Sequence, residues 1–375
     1  QSNSLVLLRE PRYVENAQAW VDRLDGFLRG EASPTADMAN VKMMAPSAPA
    51  EPRVPTARLV SHGGAGAEAL DLGALALQRT VGADHLALLL GQLLPGNVKD
   101  FVSVPLIKAV VAQRSTKSAE EIAEIEIALG ICRGMYQAVT AAPLYDQAPV
   151  EIVGRMAAVV ASRDSRFAFA PIVTPHGDIL HGGVGPEPLG DDGLLIVDIG
   201  AESPRGYASD ITRTLPISGH FDTRQRELYE IVLKAQKTAI AAIAPGKRFL
   251  DLHLLAAEVI CHGLQELGLM QGDADEALAE GAHALFFPHG LGHMLGLDAH
   301  DMEALGEDWV GYDDQTRRQA QFGLAALRLG RKLAPGFVVT VEPGIYVAAG
   351  NDNVAKKWWN TGIRIEDDVL VTKEG

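Results

Sequence analysis

Four carboxylates lie inside segments whose apolar composition is typical of buried β-strands, and this feature constrains the fold most. Asp198 ends Leu-Leu-Ile-Val-Asp, and Asp210 lies in Ser-Asp-Ile-Thr-Arg-Thr. Glu342 follows Val-Val-Thr-Val, and Glu366 lies in Gly-Ile-Arg-Ile-Glu-Asp. Burying an ionised carboxylate costs several kcal/mol unless its charge is compensated. Each of these side chains must therefore be paired, protonated or bound to a metal ion.

The chain offers too few neighbouring cations to compensate these carboxylates. No run of Lys or Arg near them in sequence could neutralise all four. His293, in Pro-His-Gly-Leu-Gly-His, would add one neutral imidazole to the four negative charges. Two divalent ions would balance such a set, so the sequence predicts a metal centre with two ions.

Length and charge narrow the class of protein. At 375 residues the chain exceeds the limit of about 250 to 300 for one hydrophobic core, so two domains are expected. The formal net charge of −15 argues against a nucleic-acid partner. No stretch approaches the roughly 18 apolar residues of a membrane span, and neither Cys132 nor Cys261 requires a disulfide. We therefore expect a cytoplasmic protein with no membrane partner.

The two domains are expected to meet near residue 112. Residues 4–112 are predicted to form a small α/β domain, with strands at Ser4–Leu8 and Val102–Val111 and a helix at Tyr13–Leu28. Residues 113–375 contain blocks of helices and blocks of strands, which indicate an α+β domain with an antiparallel sheet.

Local signals place the helices of the second domain. Ser118 and Glu121 are spaced as a capping box at the start of a long helix. Two further helices are predicted at Thr223–Ile243 and Phe249–Leu267. These helices would flank the strands that carry the carboxylates.

The spacing of the acids and histidines suggests how they meet. If a hairpin turns near Pro204, Asp198 and Asp210 become cross-strand neighbours with Cβ atoms about 5 Å apart. Unless a cation bridges them, one is protonated or both face solvent. His289, His293 and His300 lie within twelve residues in a glycine-rich segment, which favours chemistry over a structural role.

Five ordered motifs resemble the pita-bread metallopeptidases, in particular Xaa-Pro aminopeptidase and Xaa-Pro dipeptidase (prolidase). The resemblance covers residues from about 115 to 375 and rests on the following motifs: Val-Asp-Ile-Gly-Ala-Glu, Ser-Asp-Ile-Thr-Arg-Thr, His-Gly-Leu-Gly-His-Met-Leu-Gly-Leu-Asp-Ala-His-Asp, Val-Glu-Pro-Gly-Ile-Tyr and Gly-Ile-Arg-Ile-Glu-Asp-Asp-Val. It implies a pita-bread domain with a curved antiparallel sheet. In this family a ribonuclease-H-like domain usually precedes it, although the first third of the chain does not match one residue by residue.

The resemblance also implies a role for each site residue. The dimetal ligands would be Asp198, Asp210, His293, Glu342 and Glu366, with Asp210 and Glu366 bridging both ions. His181, His289 and His300 would contact substrate, and Glu342 would also act as general base. Arg364 shares a strand face with Glu366, so we expect it to orient the Glu366 carboxylate from behind, and we expect Thr212 to be a second supporting residue.

The implied activity is removal of the first residue from peptides with proline in second position, by a hydroxide that bridges two metal ions. Oxygen-rich ligation favours Mn²⁺, with Co²⁺, Zn²⁺ or Fe²⁺ as alternatives. The resemblance also implies a homodimer. A prolidase restricted to dipeptides and an inert pita-bread binding module remain the alternatives.

Overall fold

The computed structural model describes Val6–Leu7, residues 103–350 and residues 354–375. The helix expected at Tyr13–Leu28 lies outside the described residues, as does most of the 4–112 domain, so that domain and its boundary remain predictions. Strand β1 (Val6–Leu7) lies within the segment predicted as Ser4–Leu8.

The strand predicted at Val102–Val111 is wrong, because a helix occupies this segment. Helix α1 spans Val104–Ser115, and the Ser103 hydroxyl accepts a hydrogen bond from the N–H of Leu106. Pro105 lies in the first turn, where a missing N–H costs nothing and the fixed φ suits a helix. A short apolar run is compatible with either a strand or a helix, and here Pro105 in the first turn favoured the helix.

Helix α2 (Ala119–Val139) begins at the predicted capping box. The Ser118 hydroxyl accepts from the backbone N–H of Glu121, and the Glu121 carboxylate accepts from the N–H of Ser118. Such a cap stabilises a helix by about 1 kcal/mol. After α2, helix α3 spans Pro149–Ala161.

The first half of the α+β core is a three-stranded antiparallel sheet covered by α2 and α3. Its strands, in the spatial order β2-β3-β4, are β2 (Ile172–Thr174), β3 (Leu194–Ile199) and β4 (Ile211–Pro216). Met135 of α2, Ile152 of α3 and Leu195 of β3 are fully buried in one hydrophobic cluster. The side chains of β3 are buried on both faces, so an acid at its end is enclosed by the protein.

The second half also combines helices with antiparallel pairs of strands. Its helices are α4 (Thr223–Ala241), α5 (Phe249–Glu266), α6 (Ala274–Ala279) and α7 (Glu307–Gly311), with 3₁₀ turns at Ala282–Leu285, Glu303–Leu305 and Lys356–Trp358. Its strands are β5 (Val338–Val341), β6 (Gly344–Val347), β7 (Thr361–Arg364) and β8 (Asp367–Leu370). β5 pairs antiparallel with β8 and β6 with β7, whereas β1 adds to β8 in parallel.

The architecture confirms the predicted α+β class and its antiparallel sheets. Helices α4 and α5 start where predicted and end two residues and one residue earlier, respectively. Residues 107–375 fall within one compact unit, which contains every site residue considered below. In the parts of the chain that the structure describes, no helix has the length and apolar character needed to cross a bilayer.

Candidate metal centre

The β3–β4 hairpin positions the two aspartates. Asp198 pairs with Thr212, and the next pair is Ile199 with Ile211. Asp210 immediately precedes β4, so it lies diagonally across from Asp198 and not directly opposite as predicted. The turn centres on Arg205, because Glu202 pairs with Ala208. Moving the centre by one residue from Pro204 changes the cross-strand partner of each residue in the hairpin by two positions.

A glycine-rich segment brings His293 alongside strand β5. The N–H of Thr340 donates to the carbonyl of His293 at 2.9 Å, and the N–H of Glu342 donates to the carbonyl of Leu291 at 2.8 Å. A Cβ atom at Gly292 would lie 2.1 Å from the carbonyl oxygen of Thr340, so only glycine permits this approach. The segment therefore sets the distance between His293 and Glu342.

Glu366 enters the site because the segment before β8 runs beside β4. The N–H of Glu366 donates to the carbonyl of Thr212 at 3.1 Å. The Thr212 hydroxyl in turn donates to Oε2 of Glu366 at 2.6 Å. Thr212 therefore holds one carboxylate oxygen of the predicted ligand Glu366 in place.

The predicted ligands converge on one point. Potential ligand atoms of Asp210, His293 and Glu366 lie within 4.8 Å of one another. The His293 Nε2 atom is 3.5 Å from Oδ2 of Asp210 and 3.7 Å from Oε1 of Glu342. Asp198 is close enough to contribute to the raised pKa of Asp210.

The electrostatics of this cluster show a shortage of positive charge. Oδ1 of Asp198 and Oδ1 of Asp210 are buried without a hydrogen-bond partner. Burial, together with neighbouring carboxylates, raises the pKa of Asp210 and of Glu366 well above the ordinary range. Burial also raises the pKa of Glu342 to about 7. In the absence of a cation, these acids could not all be ionised at neutral pH.

Arg364 contacts a different ligand from the one predicted. Its guanidinium donates to Oδ2 of Asp198 at 2.7 Å, and its Nε donates to the Thr212 hydroxyl at 3.4 Å. Its link to Glu366 is therefore indirect, through Thr212. The partner of Arg364 was mispredicted because strand alternation determines which face a side chain occupies. It does not determine which acid across the sheet lies within reach of that side chain.

His289 is tied to this arginine through a tyrosine that sequence reasoning did not assign. Arg364 donates to the Tyr346 hydroxyl at 3.0 Å, and that hydroxyl lies 2.7 Å from Nε2 of His289. Nδ1 of His289 faces the carbonyl of Gly290 at 2.8 Å, so Nδ1 carries the proton and Nε2 accepts from Tyr346. Both ring nitrogens are thus engaged within the protein.

His300 lies beside the predicted ligand His293. Its ring lies edge-on to that of His293 with centroids 4.4 Å apart, and its side chain is 51% exposed. The Arg328 guanidinium contacts Nδ1 of His300 at 2.9 Å and also donates to Glu303 at 2.7 Å. Because a guanidinium can only donate, Nδ1 accepts and the proton resides on Nε2. Partial burial and the charges of His293 and Arg328 lower the pKa of His300.

His181 is exposed in the segment after β2. It contributes to the lowered pKa of His289 and of His300, so it lies near both side chains. Two further supporting residues were missed from sequence, Arg328 and Asp368. The Asp368 carboxylate accepts from the backbone N–H of Asp210 at 3.0 Å, and the acidic pair after Glu366 was the only sequence signal for it.

These residues fit a pair of divalent metal ions. The donor set comprises carboxylate oxygens with one imidazole, and the unpartnered buried oxygens of Asp198 and Asp210 need positive charge. A second group of potential ligands, Glu258, His262 and Asp275, differs because all three side chains are exposed. Water can solvate the charges of that exposed group. The charges of the buried group can be compensated only by cations.

The sequence model of metallopeptidase family M24 matches residues 123–373. The chain belongs to this family. The matched range includes all five predicted ligands and the three histidines, so the resemblance drawn from the motifs is confirmed.

Several relatives of this M24 chain carry proline-specific names. Probable Xaa-Pro aminopeptidase PEPP of Fusarium vanettenii is 38% identical over 302 residues, which cover 74% of this chain and 62% of that protein. Xaa-Pro aminopeptidase of Escherichia coli is 39% identical over 200 residues, which cover 53% of this chain and 40% of that protein. The chain therefore spans less than two thirds of the length of these relatives.

Solved structures confirm the pita-bread fold. Pseudomonas aeruginosa aminopeptidase PepP is 34% identical with a TM-score of 0.61, covering 70% of this chain and 56% of that chain. A variant of Escherichia coli aminopeptidase P in complex with substrate is 34% identical with a TM-score of 0.63, covering 72% of this chain and 57% of that chain.

Proposed function

We propose that this chain is an Xaa-Pro aminopeptidase whose five ligands, Asp198, Asp210, His293, Glu342 and Glu366, hold two divalent metal ions. One observation carries the proposal: Asp198 and Asp210 each bury a carboxylate oxygen that lacks a partner, and Asp210 lies beside His293. The names of the relatives supply the substrate class, peptides with proline in second position.

Two bound ions would polarise the scissile carbonyl and lower the pKa of a water molecule, so that a nucleophile forms near neutral pH. Mn²⁺ is our first choice because oxygen donors outnumber nitrogen, with Co²⁺, Zn²⁺ or Fe²⁺ as alternatives. A zinc-substituted Escherichia coli aminopeptidase P has been solved with product, so zinc remains to be compared directly.

Glu342 suits the role of general base. Its Oε1 atom lies 3.7 Å from Nε2 of His293, within the candidate metal site. Its side chain is 18% exposed, whereas Asp210 is 7% exposed and His293 3% exposed, so Glu342 faces the cleft more than they do. Its carboxylate can therefore take a proton from the attacking water and hold it for the leaving nitrogen.

The three histidines would have different functions in the reaction. The Nε2–H of His300 can donate to the oxyanion as it forms, because Arg328 occupies Nδ1. His181 is exposed and available to contact the peptide. His289 would act as a positioning residue, because it accepts from Tyr346 and so steadies Arg364 against Asp198.

Arg328 favours a second candidate function, that of a prolidase. Its side chain is 37% exposed beside His300, where it could bind a carboxylate one residue beyond the scissile bond. In a dipeptide this carboxylate is the chain terminus. In a longer peptide the position is an uncharged amide.

A substrate series separates the two candidates. We expect the metal-loaded protein to cleave Xaa-Pro-Xaa amides at least as well as Xaa-Pro dipeptides, and Arg328→Gln to change this ratio little. The matched control is Arg224→Gln, a change at an exposed arginine. A strong preference for dipeptides that Arg328→Gln removes and Arg224→Gln retains would establish the prolidase.

A chelation experiment tests the proposal as a whole. Protein treated with EDTA and dialysed should lose activity on Xaa-Pro-Xaa peptides and regain it with Mn²⁺, while Xaa-Ala-Xaa peptides remain poor substrates. Activity that is indifferent to metal would refute the metal mechanism. A protein that binds Mn²⁺ at the five ligands yet cleaves nothing would be the inert binding module.

Three broader predictions accompany the activity. We expect a homodimer, which light scattering after size exclusion would test. We expect a cytoplasmic location, which fractionation of the source cells would test. We also expect the domain boundary near residue 112, and folding of a fragment that spans residues 113–375 would test it.

A further inference from the structure

A short loop connects the predicted metal ligand His293 to the substrate-facing His300. It is closed on itself by two backbone hydrogen bonds. The N–H of Asp301 donates to the carbonyl of Met294 at 3.0 Å, and the N–H of Gly296 donates to that of Asp298 at 3.1 Å. The orientation of His300 therefore depends on what holds Asp301.

Two cations from the junction of α1 and α2 hold the Asp301 carboxylate. Nζ of Lys117 contacts Oδ2 at 3.0 Å, and Arg114 donates to Oδ1. The side chain of Asp301 is fully buried and that of Lys117 is 1% exposed, so solvent does not compete for this ion pair. A Cβ atom at Gly296 would lie 2.5 Å from Oδ2, so the loop backbone packs directly on the carboxylate.

The cations themselves are fixed to the rest of the unit. The N–H of Lys117 donates to the carbonyl of Gly336, just before β5, at 2.8 Å. Ser118, the next residue, caps α2. The ion pair thus joins the loop to β5, the strand that leads to Glu342.

We propose that Asp301 is a positioning residue for the reaction, because its carboxylate, held by Lys117 and Arg114, keeps His300 facing the metal cluster. The proposal rests on the peptidase function proposed above. Asp301 has no role in binding metal, and it acts on the substrate only through His300.

Loss of this anchor should slow turnover more than it weakens substrate binding. A displacement of about 1 Å at a catalytic group can cost about a hundredfold in rate. We therefore expect Asp301→Asn to lower kcat by about 10- to 100-fold, with KM changed by less than about 3-fold and Mn²⁺ stoichiometry unchanged. Asp251→Asn, which removes an ion pair with Arg248 at the start of α5, is the matched control.

A double-mutant cycle separates positioning from a general structural effect. If Asp301 acts through His300, Asp301→Asn should have almost no further effect on kcat in a His300→Ala background. A full additive loss in that background would overturn the proposal. Arg114→Gln, which leaves the Lys117 contact in place, provides a milder variant that carries the same test if Asp301→Asn fails to fold.

Hydrogen exchange gives a readout that does not need activity. The amides of Leu295, Gly296 and Asp301 should exchange faster in Asp301→Asn or Arg114→Gln than in the wild type, and not in Asp251→Asn. If the wild-type protein cleaves no Xaa-Pro peptide, the proposed function fails while this measurement still decides whether Asp301 orders the loop. Unchanged exchange at these amides would overturn the inference.

Discussion

Two groups of buried charge lie in the same unit of this protein, and they are satisfied in opposite ways. Asp301 has a cation on each carboxylate oxygen, from Lys117 and Arg114. In the metal centre, Asp198 receives Arg364, but its second oxygen and one oxygen of Asp210 have no partner. The first group is complete as the chain folds, whereas the second requires cations from outside.

This contrast distinguishes a structural ion pair from a binding site. Burial disfavours charge equally in both places, so what differs is the supply of compensating groups. Burial raises the pKa of Asp210 well above the ordinary range, with Asp198 as the next cause. A shortage of positive charge, more than burial itself, therefore indicates the metal site.

The largest expected effect is on catalysis. Glu342→Gln should reduce kcat by about 10²- to 10⁴-fold, because the amide cannot accept the proton from water. Steady-state kinetics on an Xaa-Pro-Xaa peptide would measure it, with circular dichroism to confirm folding. Glu202→Gln, which affects an ion pair with Arg166, is the control that should retain activity. Near-normal metal-dependent turnover by Glu342→Gln would show that another group is the base.

The two groups of buried charge should also differ in their effect on the free energy of unfolding. Asp301→Asn should lower the free energy of unfolding by about 3 to 5 kcal/mol, because it leaves Lys117 buried without its partner. Asp210→Asn, in metal-free protein, should instead leave stability unchanged or raise it, because it removes a carboxyl group whose ionised form is disfavoured in the folded protein. Chemical denaturation of both variants measures the difference. Equal losses would mean that the two groups are satisfied alike.

Mn²⁺ should stabilise the folded protein by binding at the metal centre and not at the Asp301 ion pair. At a concentration 100 times its Kd, Mn²⁺ should add about 2.7 kcal/mol to the free energy of unfolding of the wild type. Thermal unfolding with and without Mn²⁺ should show this gain in Arg114→Gln and not in Asp210→Asn. A similar gain in both variants would place the stabilising ion elsewhere.

The smallest effect concerns a third buried group, the His253–His283 pair. Burial, with smaller effects of His283 and His289, lowers the pKa of His253 to about 3, below its ordinary value of 6.5. The unfolded chain therefore binds the proton first, and stability falls as the pH drops below 6.5 towards 3. Between pH 7.5 and pH 5 we expect this residue to account for about 2 kcal/mol. Denaturation of His253→Leu should show a correspondingly weaker pH dependence, and an unchanged profile would contradict the assignment.

Local signals in the sequence predicted the local structure well. The Ser118–Glu121 capping box marks the start of α2 because both hydrogen bonds form within three residues. The five motifs predicted a metal site, and the structure brings three of the predicted ligands, Asp210, His293 and Glu366, within 4.8 Å of one another. The fold class followed from the blocks of helices and strands.

Contacts across the sheet could not be predicted in the same way. The register of the β3–β4 hairpin depends on whether Pro204 or Arg205 occupies the centre of the turn, which composition does not decide. Arg364 reaches Asp198 across 166 positions, and Lys117 reaches Asp301 across 184, so neither pairing leaves a local pattern. Residues that support others, such as Tyr346 and Arg328, therefore became visible only in the folded chain.

Anomalous diffraction from crystals grown with Mn²⁺ would show whether the buried carboxylates form one site for two ions. We predict two peaks between Asp210 and Glu366, with His293, Asp198 and Glu342 as the remaining ligands. An absence of peaks at these residues, or a peak only at the exposed group of Glu258, His262 and Asp275, would contradict the account.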